Sequence, residues 1–427
     1  MKKNRINIIL GQGLFASLII LIANVCIAEG APIKIHGRIQ VGAIYNDNNS
    51  ENVFPTGFLN FDEGINLNRA DLIFEKPIKS NIKPRIGPFP GAKPQQSDLG
   101  FQVETRYGKD AAITFGFDDE GRNKDHDHKL LMQQWFLKGY QPWGDGFSYI
   151  VGSWFTPFGL EIGAPVDPPT GFYSHSYAFT YSPSKHVGAM GALKLPVSKE
   201  KGLFSVGLGV VQGWNNLQDN NDDKTLLFDL RWRSPDFKTW IDFENIVGNE
   251  QSEKGITDQT RPFNAVSTSG NKLFRNMHSL TLSHRFDKKQ RMALNAVYGA
   301  QEGGDLISDS NNPPGFLITE DSEWYGLNAN YYNRFRPNMQ LGLRADWLRD
   351  DKGAHALLPE GDYYAATANM SWWPTKKLRI RPELRYDRYD GPGKPFGGKV
   401  PAIFFGEEDE QWTASVDATW FFGQGGK

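Results

Sequence analysis

Residues 411 to 422 read Gln-Trp-Thr-Ala-Ser-Val-Asp-Ala-Thr-Trp-Phe-Phe, and this stretch decides how the chain is interpreted. Every second residue is apolar from Trp412 to Phe422, and the residues between them are polar. Because successive side chains of a strand point to opposite faces, the pattern is typical of a strand between two different environments. About 9 to 11 tilted residues cross a bilayer, with aromatic residues at both interfaces. The stretch therefore predicts a transmembrane β-strand.

A single membrane strand needs partners, because unpaired backbone groups in hydrocarbon cost several kcal/mol each and only a closed barrel pairs them all. Alternation elsewhere in the chain predicts an all-β, transmembrane antiparallel β-barrel of about sixteen strands. The predicted strands are 33–45, 65–76, 99–107, 130–140, 147–155, 186–195, 203–214, 225–233, 238–248, 276–286, 291–300, 323–335, 339–350, 363–373, 378–387 and 411–422. Residues 112 to 117 are expected to extend the third strand beyond the membrane.

The connections between these strands alternate in length. Short turns such as 234–237 and 287–290 alternate with long connections such as 249–275 and 388–410. Bacterial membrane barrels combine short periplasmic turns with long external loops in this way. Two features fit poorly: the proline-rich segment 77–97 is long where a short turn is expected, and Pro382 removes a ladder hydrogen bond inside a strand.

Composition excludes several other classes of protein. The 427 residues contain 47 Lys plus Arg against 49 Asp plus Glu, so no strongly basic surface indicates nucleic-acid binding. The mean hydropathy of −0.50 is too polar for a bundle of membrane helices. A barrel reconciles these numbers with a membrane, because alternation places its apolar residues on one face only.

The N-terminus has the pattern of an export signal. Lys2, Lys3 and Arg5 precede a mostly apolar run from Leu14 to Val25, followed by Cys26-Ile27-Ala28. This predicts a signal peptide over 1–28 and an outer-membrane barrel over 29–427. A lipoprotein anchored through Cys26 is the alternative, although Val25 stands where a small residue is expected. On the first reading the exported chain has no cysteine and no disulfide.

Several phrases of the sequence, in their order, resemble the OmpL-like β-barrel porin family of Gram-negative outer membranes. They are Asn68–Leu72, Gly100–Glu104 with Tyr107-Gly108, Gly152–Glu161, Tyr173–Ser176, His186–Gly188, Val210–Asn216 and Asn220-Asn221. The resemblance covers about residues 30 to 235 and implies an outer-membrane pore without catalytic residues. The 77–97 insert and the residues after Phe422 depart from the family pattern.

The polar faces of the predicted strands carry charged residues that are expected to line the lumen, because charges facing lipid are expensive. They are Lys34, Arg38, Glu104, Arg106, Asp229, Arg231, Asp242, Glu244, Arg285, Arg344, Asp346, Arg379, Arg381, Glu383, Arg385 and Asp387. Both signs are nearly balanced, which predicts weak ion selectivity. A plugged, salt-bridged interior without conduction is the alternative.

The connection 156–185 holds Glu161, Asp167 and His175 and is the third external loop in this arrangement. By analogy with porins of similar size, this loop is expected to fold inward and narrow the pore. The alternative is a lid on the surface.

Metal or catalytic chemistry has weak support in the sequence. Asp125-His126-Asp127-His128 contains metal-ligand types, but neighbours in an extended loop point in different directions, so no metal site is predicted. Ser283 and His284 fall on opposite faces of one strand, and neither a Gly-x-Ser-x-Gly nor a His-Glu-x-x-His motif occurs. No enzyme activity and no cofactor are predicted.

The pattern as a whole predicts an outer-membrane porin that forms a water-filled channel for passive diffusion of small polar solutes or ions. The alternatives are an adhesin or structural barrel without conductance, and a barrel lipase. Expected partners are outer-membrane lipid, lipopolysaccharide and the barrel-assembly machinery. The sequence leaves open whether the barrel is a monomer or a homotrimer.

Overall fold

The computed structural model describes residues 32–48, 64–78, 87–91, 96–113, 129–161, 171–217, 219, 221–250, 274–303, 321–352, 359–397 and 407–423. Among them, sixteen antiparallel strands form a closed barrel in which each strand pairs with its neighbours in sequence and β1 pairs with β16. Within the described part of the chain, no helix is long and apolar enough to span a membrane. The predicted signal peptide lies outside the described residues.

The sixteen strands are β1 (Lys34–Asn46), β2 (Gly64–Lys76), β3 (Asp98–Gly108), β4 (Lys129–Gln141), β5 (Phe147–Phe155), β6 (Lys185–Lys194), β7 (Leu203–Val211), β8 (Thr225–Arg233), β9 (Thr239–Asn249), β10 (Phe274–Arg285), β11 (Gln290–Gln301), β12 (Ser322–Arg336), β13 (Met339–Asp351), β14 (Gly361–Thr375), β15 (Leu378–Asp390) and β16 (Glu410–Gly423). Two short α-helices, α1 (Lys109–Ile113) and α2 (Tyr177–Thr180), and a 3₁₀ turn at Lys199–Lys201 lie in connections.

The predicted fold is confirmed in strand number, direction and closure, and two local predictions are wrong. The seventh strand ends at Val211 and not at residue 214, because Gly213 turns the chain with a φ of 130°. Residues 112 and 113, expected to continue the third strand, belong to α1. Residues 114 to 117 lie outside the described part.

The two faces of the wall differ in composition as the alternation predicts. On β16, the polar residues Thr413 and Asp417 are 1% exposed, whereas Trp412 and Trp420 are 48% and 47% exposed. On this strand, polar side chains are thus buried inside the barrel and apolar ones cover its outside. This is the inverse of a soluble protein, and it suits a wall whose outer solvent is lipid.

A β-bulge in β2 determines which of its residues face inward. Gln40 pairs with Arg69 while the next residue, Val41, pairs with Leu67, so Asn68 is the extra residue. The sequence alternation slips at this point, as expected for a bulge. After the bulge the odd-numbered residues of β2 face inward, and this places Asp71 inside the barrel.

The interior contains a layer of aromatic residues around α2. The ring of Tyr177 lies 5.2 Å from that of Tyr363, which lies 4.9 Å from that of Tyr389. On the next turn, Tyr181 lies 6.0 Å from Trp324. All five side chains are nearly fully buried. The segment that carries α2 therefore packs inside the barrel.

Candidate functional site

The inner wall carries two clusters of charged residues that use their hydrogen bonds differently. We call the first the self-paired patch, formed by Arg38, Asp71, Glu104 and Arg106 on β1, β2 and β3. We call the second the loop-binding patch, formed by Arg344 on β13 and by Arg381, Glu383 and Arg385 on β15. All eight side chains are buried.

In the self-paired patch, each charge is balanced by a neighbour on the wall. Asp71 accepts from Arg106 Nε and from Arg38 Nε, both at 2.8 Å. Glu104 lies 3.2 Å from Arg106 and accepts from Gln134 Nε2 at 2.7 Å. The β2 bulge is what brings Asp71 between the two guanidinium groups.

In the loop-binding patch, the charges bind the backbone of residues 172–175. Glu383 accepts from the amides of Tyr173 at 2.6 Å and Ser174 at 2.9 Å. Arg385 donates to the carbonyl of His175 at 2.5 Å, and Arg381 donates to the carbonyl of Phe172. The wall thus holds the loop by its main chain.

Glu161 joins the start of this loop to Arg344. Its carboxylate lies 3.1 Å from Arg344 Nη1, accepts from the Ser176 amide at 2.6 Å and lies 3.6 Å from His175 Nδ1. Burial alone would raise the pKa of Glu161, but the Arg344 charge and these hydrogen bonds outweigh it and lower the pKa to about 2. The carboxyl is therefore ionised at neutral pH.

The same loop reaches across four neighbouring strands. Tyr173, whose amide binds β15, forms a hydrogen bond from its hydroxyl to Asn68 Oδ1 on β2 at 3.1 Å. Gly42 on β1 makes this possible, because a Cβ there would lie 2.0 Å from the Tyr173 hydroxyl oxygen. Burial and the charge of Asp417 raise the pKa of Tyr173 well above its usual value, so the phenol stays a neutral donor.

Helix α2 is held to the wall by two carboxylates. Asp346 accepts from the Tyr177 amide at 3.1 Å, and Asp387 accepts from the Tyr177 hydroxyl at 2.8 Å. Burial and the Asp387 charge raise the pKa of this hydroxyl well above its ordinary value. Ser176 caps the helix by accepting from the Phe179 amide.

Most of the remaining predicted lumen residues contact either the loop or another residue of the wall. Glu244 accepts from the Gly159 amide at 3.0 Å, and Asp242 lies 2.5 Å from Arg233. Arg231 lies 3.0 Å from Asp229, and Arg379 lies 4.0 Å from Asp417. Lys34 is half-buried on β1 and Arg285 is exposed at the end of β10. Asp167 lies outside the described residues.

Sequence reasoning missed several partners of these charges. Asp417 stands in the polar row of β16 and could have been included from alternation alone; it accepts from Arg381 Nε at 2.6 Å. Asp71 was hidden by the bulge, which reverses the facing of β2. The backbone groups of residues 172–175 have no signature in the sequence, because any residue supplies them.

The structure shows no metal-ligand cluster in the part of the chain that it describes. Asp125-His126-Asp127-His128 lies outside this part. The buried carboxylates of Asp71, Glu161 and Glu383 instead bind guanidinium groups or backbone amides.

Comparison with solved structures finds the same fold in outer-membrane proteins. The outer membrane channel DcaP of Acinetobacter baumannii matches with a TM-score of 0.54 and 13% identity, over 92% of this chain and 98% of that one. OmpT of Vibrio cholerae in its trimer form and an anion-selective porin from Comamonas acidovorans each match with a TM-score of 0.53 and 9% identity, over 92% of this chain and 99% of theirs. At these identities the likeness concerns the fold alone.

Comparison with curated proteins finds no significant relative. A family model, described as "Putative beta-barrel porin-2, OmpL-like", matches residues 32–422 and so extends the resemblance seen in the sequence over the whole barrel. The closed sixteen-stranded wall, its buried polar residues and this match all indicate the same family. The chain belongs to the OmpL-like β-barrel porin family.

Proposed function

We propose that the protein forms a water-filled channel through which small polar solutes or ions diffuse passively. One observation carries the proposal: along the strands, the buried inner row holds most of the charged and polar residues of the wall, beside an apolar layer around α2, while the outer row is apolar and exposed. A closed wall of sixteen strands encloses enough space for an aqueous channel. An adhesin or a structural barrel would need no such inner row.

We further propose that the loop 156–185 is the constriction of this channel. Its described residues bind inner-wall groups of β9, β13 and β15 through Gly159, Glu161 and residues 173–175. A segment held at both ends of its path across the lumen takes space from the channel. Glu161 and His175 are then constriction residues, and Asp167 belongs to the same loop.

The selectivity proposed is weak. The arginines of both patches lie within ion-pair distance of acidic side chains, Asp71 and Glu104 in the self-paired patch and Glu161, Asp417 and Asp387 beside the loop-binding patch, so their fields largely cancel. Because the channel is wet, salt screens the remaining field over about 8 to 10 Å. The residues predicted from the sequence to line the pore keep this role in the proposal. Those of the loop-binding patch affect the channel by holding the loop that narrows it.

No enzymatic activity is proposed. Ser283 and His284 belong to opposite faces of β10 and bind different neighbours: the Ser283 hydroxyl donates to the Met292 carbonyl at 3.3 Å, while His284 Nδ1 lies 2.9 Å from the Thr239 hydroxyl. A serine without its base is a weak nucleophile. Ester hydrolysis by the purified protein would contradict this proposal and favour a barrel lipase.

The proposed partners are lipid and lipopolysaccharide around the outer face, the barrel-assembly machinery, and further copies of the chain in a homotrimer. A shallow depression on the outer face supports the trimer, since the small side chains of Ala329, Ala345 and Ala366 lie there between larger apolar residues. A second barrel would pack closely against such a surface. The molecular mass of the detergent-solubilised complex tests this.

The channel itself is tested by single-channel recording of the refolded protein in planar bilayers under a salt gradient. We expect stepwise, ohmic conductance with a small reversal potential. Bilayers without steps, together with cell-surface binding by the same preparation, would favour the adhesin. A reversal potential close to that of a perfectly selective pore would contradict weak selectivity.

A further inference from the structure

Residues 87–91, in the proline-rich connection between β2 and β3, lie inside the barrel. Phe89 is 1% exposed, and Pro88, Pro90 and Gly91 are also buried. A connection at this end of a membrane barrel is ordinarily a short turn. Because residues 88–91 are buried, they do not lie on the exposed edge of the barrel as a short turn would.

The partners of Phe89 place it far from its own strands. Its ring centroid lies 4.8 Å from the Arg233 guanidinium carbon and 5.9 Å from that of Arg231, both on β8. From β3 to β8 there are five steps along the wall, which is roughly 24 Å at about 4.8 Å per strand. Residues 87–91 must therefore leave the wall and reach into the lumen.

This segment also approaches the inward loop. A Cβ on Gly87 would lie 3.3 Å from Arg231 Nη2 and 3.5 Å from Pro157 Cβ. Pro157 lies at the start of the loop 156–185, which reaches the loop-binding patch. The two inward segments, one from each end of the barrel, therefore come together beside β8.

Phe89 also covers positive charge. Within the described residues, the Arg231 guanidinium forms an ion pair with Asp229 at 3.0 Å but no hydrogen bond. An aromatic face attracts a guanidinium group and keeps water from it. Without the ring, Arg231 would face the lumen.

We propose that Phe89 is a size- and charge-determining residue of the channel, forming a second constriction on the short-turn side of the inward loop. Its ring occupies cross-section and shields Arg231 and Arg233 from passing ions. The solutes admitted must pass both constrictions. This inference rests on the proposed channel function.

The test is single-channel recording of the full chain with Phe89→Ala. We expect conductance to rise by roughly 1.5- to 2-fold, because side-chain volume leaves the narrow part of the lumen. The reversal potential should also shift toward anions, because the uncovered guanidinium groups attract them. Adding Arg231→Gln to Phe89→Ala should keep the higher conductance and reduce the shift in selectivity.

Phe335→Ala is the matched control, since Phe335 is 45% exposed on the outer face near the same end; its conductance should equal that of the unaltered protein. Should Phe89→Ala fail to fold, Phe89→Trp serves instead, and its larger ring should lower conductance. Unchanged conductance and selectivity in both Phe89 variants would overturn the second constriction. Absence of conductance in the unaltered protein would instead contradict the channel function.

Discussion

The self-paired patch and the loop-binding patch contain the same residue types, in the ratio of two arginines to two acidic residues in the first and three to one in the second, and they have different uses. Each consists of buried arginines and acidic residues on the inner wall. Asp71 and Glu104 bind Arg38 and Arg106 beside them, whereas Glu383 binds amides of the loop. A charged residue on the inward face can therefore either hold the loop that narrows the channel or bind only its neighbours on the wall, and its charge alone does not show which.

The physical cause of the difference is where the guanidinium groups find acceptors for the donors that their acidic partners leave over. The β2 bulge brings Asp71 between two arginines, so their donors are used on the wall. Arg381 and Arg385 have acidic partners as well, Asp417 and Asp387, but their remaining donors reach the carbonyls of Phe172 and His175. These remaining donors hold the loop.

Replacement of one arginine in each patch separates the two uses most strongly. Arg344 pairs with Glu161 and also donates to the Ser174 carbonyl at 2.8 Å and to the Ser174 hydroxyl at 2.7 Å. Arg344→Met should remove these contacts, release the loop and raise single-channel conductance roughly twofold or more. Arg106→Met should leave conductance unchanged. Both variants should lose about 3 to 5 kcal/mol of unfolding free energy, because each leaves a buried carboxylate without its cation. Equal conductance in the two variants would remove the distinction between the patches.

Gly42→Ala tests the loop contact from the opposite wall. The added Cβ would lie 2.0 Å from the Tyr173 hydroxyl oxygen, so the ring must move and lose Asn68. Overpacking of this kind costs about 1 to 3 kcal/mol. In a double-mutant cycle, Gly42→Ala should cost much less when Tyr173→Ala is already present. Additive costs in urea unfolding would show that the two residues do not meet.

Acid should weaken the loop-binding patch in a defined pH range. The pKa of Glu161 is about 2 in the folded protein against an ordinary 4.5, so its contribution to loop binding is complete above about 4.5 and is lost as the pH falls toward 2. The groups facing it are Arg344 and His175. Conductance should rise across this range, and Glu161→Gln should lack that step. An identical pH profile for the variant would assign the step to another carboxyl.

The smallest effect is expected for Arg379→Gln. Arg379 lies 4.0 Å from Asp417, and its side chain is 19% exposed, a higher fraction than for the other two inward-facing arginines of β15, Arg381 and Arg385. Removing its charge should move the reversal potential slightly toward cations at low salt and leave conductance unchanged. The shift should fade near physiological ionic strength, where charges are screened beyond about 8 Å.

Replacing Arg379, Arg381 and Arg385 together by Gln should instead raise conductance, because the last two hold loop carbonyls. If the single Arg379 variant raises conductance as much as the triple variant, Arg379 also holds the loop. If the triple variant changes selectivity alone, the loop does not depend on the other two arginines.

Alternation in the sequence was enough to predict the sixteen strands, their antiparallel closure and the facing of most side chains. The reason is that alternation is local: in a strand such as β16, residues two apart share a face whatever surrounds them. It also indicated the slip in β2 near Arg69, without showing that Asp71 turns inward as a result.

Which charges hold the loop, and where residues 87–91 lie, depends on contacts between distant parts of the folded chain. Tyr173 and Glu383 are 210 residues apart in the chain, and the contact joins a backbone amide to a carboxylate. Because every residue but proline offers such an amide, no residue type marks the contact in advance. Phe89 likewise meets Arg231 and Arg233 only because the closed wall brings β8 within reach of the β2–β3 connection across the lumen.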